Sequence, residues 1–367
     1  MEVMERAFAM EREGADIVHL EVGEPDFAPP PAAVDACKAA LSAGETRYTD
    51  SRGLVELRVA IASDHERRFG TAVDPDRVLV SSGTSAAMLL VFLLLVEPGD
   101  EVVMGTPHYP CYPNFVRACG GTPVLVPTAP AEGYRLDPDL VRAALTPRTR
   151  AVVVASPANP TGAIQSAETL RALAGLGVPL VSDEIYDGLV YDGAKVTSAL
   201  EVSDDAYVLD GFSKRYAMTG FRLGYVIAPR EAARPLQVLQ QNLFISANRF
   251  VQHAGIAALR DGEDTLVAMR SAYDTRRRLL VDGLRELGFA IPVLPQGAFY
   301  VFADARRFGA DSRKLAFDIL ERARVGTCPG VDFGAAGEGW LRFCSAASEA
   351  GLHEALERLA RVLPEFA

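Results

Sequence analysis

The stretch Asp210-Gly211-Phe212-Ser213-Lys214-Arg215-Tyr216-Ala217-Met218-Thr219-Gly220-Phe221-Arg222-Leu223-Gly224-Tyr225 joins two apolar runs, residues 206–209 and 225–228. Short apolar runs without polar alternation read as strands buried on both faces. The stretch is then a connection at a strand end, carrying a lone lysine and, eight positions on, an arginine. A lysine delivered from a strand end into an apolar pocket is a candidate for Schiff-base chemistry. Free lysine titrates near ~10.4, so keeping it neutral at pH 7 costs roughly 4.6 kcal/mol, at about 1.36 kcal/mol per unit. Condensation with a bound aldehyde offers a way out of that cost.

The pattern extends outward in both directions. Residues 78–80, 101–104, 123–126, 151–154 and 179–182 are further apolar runs, with helical stretches near 85–96 and 112–118. Such alternation predicts a mostly parallel sheet covered by helices on both faces, with ligands beyond the carboxyl ends of its strands. Upstream, residues 1–14 place Val3, Met4, Ala7 and Phe8 at helical spacing, with Gly14 as a stop. A short strand is expected over 16–22, and amphipathic helices over 31–43 and 54–69. Downstream, long helical segments run from Pro229 to about Gly288, and their basic run Arg276-Arg277-Arg278 reads as a solvated face. Strands near 290–293, 298–302 and 340–344, a helix from about 312 and a terminal helix complete a smaller α+β unit. The expected fold class is α/β: a large domain over 27–267, and a small domain built from 1–26 and 268–367.

The chain has 367 residues, 49% hydrophobic and 23% charged, as in an ordinary globular protein. That length buries roughly 75% of the unfolded surface and suits two domains. A net charge of −11 argues against nucleic-acid or anionic-membrane partners. The five cysteines include no Cys-x-x-Cys pair, so they read as free thiols in a reducing compartment and not as a metal site. The longest apolar run, 86–96, is too short to cross a bilayer. No basic-then-apolar leader opens the chain, and the expected location is cytoplasmic.

Four more strand ends carry chemistry. Ser81-Ser82-Gly83-Thr84-Ser85 joins a strand to a helix, where amides and hydroxyls face an anion; plain N-capping gives the same residues. The helix dipole supplies only about 0.3–2 kcal/mol, so a phosphate there needs a fixed cation, and Arg222 is the candidate. Thr106-Pro107-His108-Tyr109-Pro110 follows another strand, with His108 reading as a loop residue. Asn159-Pro160-Thr161-Gly162 and Asp183-Glu184-Ile185-Tyr186 follow two more. Alone, Asn-Pro-x-Gly is an ordinary turn.

Taken with Ser-Lys-x-Tyr-Ala-Met-Thr-Gly-x-Arg-x-Gly-Tyr at 213–225, these motifs resemble the class I and II aminotransferases, pyridoxal 5'-phosphate enzymes of fold type I. The resemblance spans essentially the whole chain. It implies Lys214 as the residue bonded to the cofactor, with Gly83, Thr84, Ser85, Ser213 and Arg222 at its phosphate. Tyr109 matches the residue stacked on the pyridine ring, and Asp183 the carboxylate that keeps the ring nitrogen protonated. Asn159 and Tyr186 match the partners of its phenolate oxygen, while Glu184 is expected to be structural. Gly23 and Arg342 match substrate positions, the arginine gripping the α-carboxylate. Tyr48 matches a tyrosine that reaches the phosphate of a neighbouring subunit, which implies a homodimer with shared active sites.

Three departures stand out. Gly211 replaces a serine or threonine that touches phosphate in many relatives, Phe221 a frequent tryptophan, and the amino terminus starts later than in many of them. The implied reaction is ping-pong transfer of an amino group from an L-amino acid to a 2-oxo acid. The alternatives are β-elimination of cysteine conjugates on the same scaffold, and a regulatory module without turnover. Aspartate, alanine, aromatic and broad specificity are all compatible with these residues.

Overall fold

The computed structural model of the chain describes residues 2–366. Met1 and Ala367, the outermost residues of the expected small domain, lie outside the described residues. A seven-stranded sheet forms the centre, in the spatial order Val78–Ser81, Gly224–Ile227, Tyr207–Gly211, Leu180–Asp183, Thr149–Ala155, Glu101–Thr106, Thr122–Pro127. Most pairings are parallel, and only Gly224–Ile227 runs against both its neighbours. This reversal positions the site. The parallel strands deliver their carboxyl ends to one edge, and the reversed strand delivers its amino end, with Arg222 just before it, to the same edge.

The apolar strands are buried because helices cover both faces. One apolar cluster joins Val80, Val103, Val152 and Val208 with Leu57 and Ile61, and another joins Leu79, Val102, Val153 and Val226 with Leu90 and Phe92. A third core unites the two chain ends: Val3, Ala7 and Met10 of the helix Glu2–Arg12 pack with Leu320, Phe343 and Leu352. The antiparallel strands Tyr300–Asp304, Trp340–Cys344 and Cys328–Pro329 lie beside it.

Several sequence expectations are corrected. Residues 290–293 form no strand; Ala290 makes a single bridge to Asp304, and Pro292 has no N–H to continue a ladder. The strand expected over 16–22 shrinks to Val18–His19, because the chain then turns inward and the carbonyl of Glu21 goes to Arg342 and Cys328. Two helices were not anticipated, Pro138–Ala144 and Ala167–Ala174, capped by the side chains of Asp137 and Ser166. The basic run 276–278 is not a solvated face. Arg277 is only 1% exposed, bonded to Asp192 at 2.9 Å and to the carbonyl of Pro295 at 2.6 Å, and Arg276 forks onto Asp26.

Candidate active site

The strand ends and the small-domain segments enclose one cavity of about 930 Å³. Gly23, Thr84, Ser85, Tyr109, Asn159, Asp183, Tyr186, Ser213, Lys214, Arg222 and Arg342 all line it. Two of the sequence candidates do not. Gly83 sits just behind the wall, and Tyr48 is 77% exposed, away from the cavity of its own chain.

Lys214 is half-buried, and its Nζ donates to the carbonyl oxygen of Gly23 at 2.5 Å. Burial lowers its pKa to about 8, with the cations of Arg342 and Arg222 acting in the same direction. At pH 7 the neutral amine therefore costs only about 1.4 kcal/mol, one unit at roughly 1.36 kcal/mol. Asp183 is buried, and its Oδ2 accepts from the Tyr112 hydroxyl at 2.6 Å and its Oδ1 from the amide of Ile185. Burial pushes its carboxyl up to about 6, although both hydrogen bonds pull the other way. A buried carboxyl so raised is stabilised by any cationic N–H brought against it.

The anion-binding corner is built by close backbone approach. Gly83 has a left-handed φ of 88°, and a Cβ there would lie 2.5 Å from Arg222 Nη2. The helix Thr84–Leu95 has no side-chain cap, which leaves its first amides for an anion. Arg222 is itself left-handed, at φ 54°, and its Nη1 donates to the carbonyl of Thr219 at 3.0 Å. Gly211 faces Gly224 in register, and a Cβ on Gly211 would lie 2.9 Å from Gly224 Cα and 3.0 Å from the carbonyl oxygen of Leu223. Position 211 has no room for the serine or threonine expected there from the family resemblance.

Arg342 is buried and heavily bonded. Nη1 donates to Asn159 Oδ1 at 3.1 Å, and Nη2 donates to the carbonyl of Glu21 at 2.6 Å and to Cys328 Sγ at 3.1 Å. Its guanidinium lies 4.3 Å over the Tyr300 ring and 5.1 Å over Phe333, while Nε is buried with no hydrogen-bond partner among the described residues. Sequence reading missed three neighbours: Tyr112 beneath Asp183, Tyr300 beside Tyr186, and Cys328 against the arginine. Tyr112 and Tyr300 fell inside a predicted helix and strand, where an aromatic residue reads as core. Glu184 is buried off the cavity, accepting from Ser182 Oγ and the amide of Ala199, and His108 is buried with Nδ1 near the carbonyl of Tyr109. Glu184 does not line the cavity, whereas His108 does.

Behind Lys214 lies a buried charge network. Arg68 contacts Asp64 at 2.8 Å and Asp210 at 3.1 Å and also pairs with Asp187, while Arg215, next to the lysine, contacts Asp64 at 3.1 Å. It ties the lysine loop to the helix Val55–Phe69.

Residues 15–359 match the family described as aminotransferase class I and II. The aspartate/prephenate aminotransferase of Thermus thermophilus is 41% identical over 365 residues, 98% of this chain and 94% of its own. The valine–pyruvate aminotransferase of Mycobacterium tuberculosis is 39% identical over 372 residues, 99% of this chain and 95% of its own. A solved structure of aspartate aminotransferase from Thermus thermophilus with maleate superposes with a TM-score of 0.94 at 40% identity, covering 98% of this chain and 95% of that one.

Proposed function

The chain belongs to the class I and II aminotransferase family and transfers amino groups from amino acids to 2-oxo acids, and from that premise we propose how its residues do so. The observation that carries the proposal is a lysine of lowered pKa sharing one cavity with a buried aspartate and a buried arginine. Pyridoxal 5'-phosphate fits this cavity. The uncapped helix start, Ser213 and Arg222 suit a phosphate, the raised carboxyl of Asp183 suits a protonated ring nitrogen, and Lys214 suits an aldehyde. When bound, that cofactor supplies the aldehyde for amine exchange and an electron sink for the charge left at the substrate Cα.

The residues of the chain supply the rest. Arg342 grips the α-carboxylate, held in place by Asn159, Glu21 and the ring of Tyr300. Lys214 Nζ, partly neutral near pH 8, accepts the Cα proton as general base and returns a proton as general acid. Tyr109 would cover one face of the cofactor ring, and Tyr186 and Asn159 would hold its phenolate oxygen by hydrogen bonds. Gly23 leaves room for the substrate beside Tyr300. We read the two clusters flanking the sheet as a large domain over 27–267, and the cluster of the two chain ends as a small domain over 1–26 and 268–367. The exposure of Tyr48, together with exposed Val55, Leu243 and Ile245, supports a homodimer in which Tyr48 serves the neighbouring site. The five free thiols fit a cytoplasmic location.

The test is a half-reaction. Cofactor-loaded protein is mixed with each amino acid in turn, without acceptor, and the keto acid is quantified against protein. One equivalent of keto acid per site, with continued turnover only on adding 2-oxoglutarate or another 2-oxo acid, is the expected result. Continuous release of pyruvate and ammonia without an acceptor would instead mean β-elimination.

A further inference from the structure

Tyr186 and Tyr300 come from segments 114 residues apart, and their hydroxyl oxygens meet at 2.8 Å in the cavity wall. Both residues are buried, and among the described residues neither hydroxyl has another protein partner. Tyr300 also lies beneath the guanidinium of Arg342, 4.3 Å from ring centroid to Cζ. On its third side, a Cβ on Gly23 would lie 2.5 Å from Tyr300 Oη. One tyrosine thus touches the residues assigned above to the cofactor's phenolate oxygen, the substrate carboxylate and the substrate's passing space.

We infer that Tyr300 is a positioning residue with two separable parts: its hydroxyl aims the Tyr186 hydroxyl at the cofactor's phenolate oxygen, and its ring seats Arg342 for the carboxylate. The inference rests on the pyridoxal phosphate reading. Two hydroxyls that share one hydrogen bond leave one proton over. If Tyr300 donates, the spare proton is on Tyr186 and is free for an acceptor in the cavity. Burial raises both phenols, and the Arg342 cation offsets part of that rise in each, more strongly in Tyr300, whose ring it lies over, making Tyr300 the better donor of the pair. A hydroxyl that accepts a hydrogen bond becomes a stronger donor in turn. Donation to the phenolate matters most when the lysine-bound nitrogen carries no proton, because the oxygen then holds its full negative charge. Loss of the Tyr300 hydroxyl therefore raises the pH at which that nitrogen loses its proton. Asp183, Tyr112, Lys214, Arg342, Tyr109 and Cys344 are titratable groups around the pair, and they are unchanged in the variants below.

The test uses full-length wild type, Tyr300→Phe and Tyr300→Leu, each loaded with pyridoxal phosphate to equal content. The visible absorbance is titrated without substrate, and KM and kcat are measured for the best amino acid found. Tyr300→Phe should raise the midpoint by roughly 0.4 to 1 unit, the net worth of one neutral hydrogen bond. Tyr300→Leu should raise it similarly and also raise KM well above that of Tyr300→Phe, since only it removes the ring under Arg342. A wild-type midpoint in Tyr300→Phe overturns the hydroxyl's role, and equal KM values in the two variants overturn the ring's. A wild type with no visible band that borohydride bleaches would overturn the cofactor reading itself, and this inference with it.

Discussion

Lys214 Nζ donates to the carbonyl oxygen of Gly23 at 2.5 Å, across 191 residues of sequence. Two residues earlier, the carbonyl of Glu21 accepts from Arg342 Nη2 at 2.6 Å. A three-residue segment near the amino terminus therefore holds both the lysine and the arginine on which the proposed chemistry depends. Its position is fixed in turn by the small core of the two chain ends, where Leu20 is fully buried. The small core therefore positions both the lysine and the arginine.

Arg342 makes three hydrogen bonds through its two Nη atoms and stacks on Tyr300. Arg342→Ala should lower kcat/KM by about 2–5 kcal/mol, as for removing one partner of a buried charge pair. Steady-state kinetics across the twenty amino acids checks this. An unchanged kcat/KM for every amino acid removes Arg342 from the carboxylate site.

Gly211→Ser introduces the residue type expected from the family resemblance and should nevertheless destabilise this chain. The new Cβ meets backbone atoms of Gly224 and Leu223 at 2.9 and 3.0 Å, which cannot swing aside as a side chain would. A loss of about 1–3 kcal/mol is expected in denaturant unfolding, the usual cost of overpacking. Equal stability and tighter cofactor binding would show that the strand pair opens to admit the side chain.

Glu184 gives a pH signature. Burial pushes its carboxyl up to about 8, above its ordinary value near 4.5, so the fold favours the protonated acid. That contribution is fully present below the unfolded pKa and is lost as pH rises through about 8. Glu184→Gln does not titrate and keeps an oxygen for Ser182 and Ala199. Its Tm should approach that of wild type in acid and exceed it increasingly between pH 4.5 and 8. A constant difference across that range contradicts the assignment.

Arg68 is surrounded by Asp64, Asp187 and Asp210, all nearly buried. Arg68→Met leaves those carboxylates with Arg215 as their buried cation and should cost about 3–5 kcal/mol in unfolding free energy. The loss should appear as a lower denaturant midpoint. Stability within 1 kcal/mol of wild type, a threshold on the order of a surface ion pair, would mean that water reaches the network.

The sheet was legible because each strand is a run of apolar residues with no polar alternation, and the strand at Trp340–Cys344 was placed to the residue. Residues 290–293 misled because Ala290, Ile291 and Val293 outweighed Pro292, whose missing N–H decides the matter. Arg277 misled in a different way. Three arginines in a row suggest solvent, and only the fold brings Asp192 and the carbonyl of Pro295 to neutralise the middle one. The candidate residues were legible through motifs at strand ends, and the structure gathers eleven of them around one cavity. Their supports were not legible. Tyr112 under Asp183 and Tyr300 beside Tyr186 are contacts made by tertiary packing, and no local spacing announces them.

The covalent bond at Lys214 is tested by loading the protein with pyridoxal 5'-phosphate, reducing with borohydride, digesting and weighing the peptides. A pyridoxyl mass on the peptide containing Lys214, absent in Lys214→Ala together with transamination, is the expected result. A pyridoxyl group on another lysine, or a Lys214→Ala protein that keeps wild-type turnover, would contradict it.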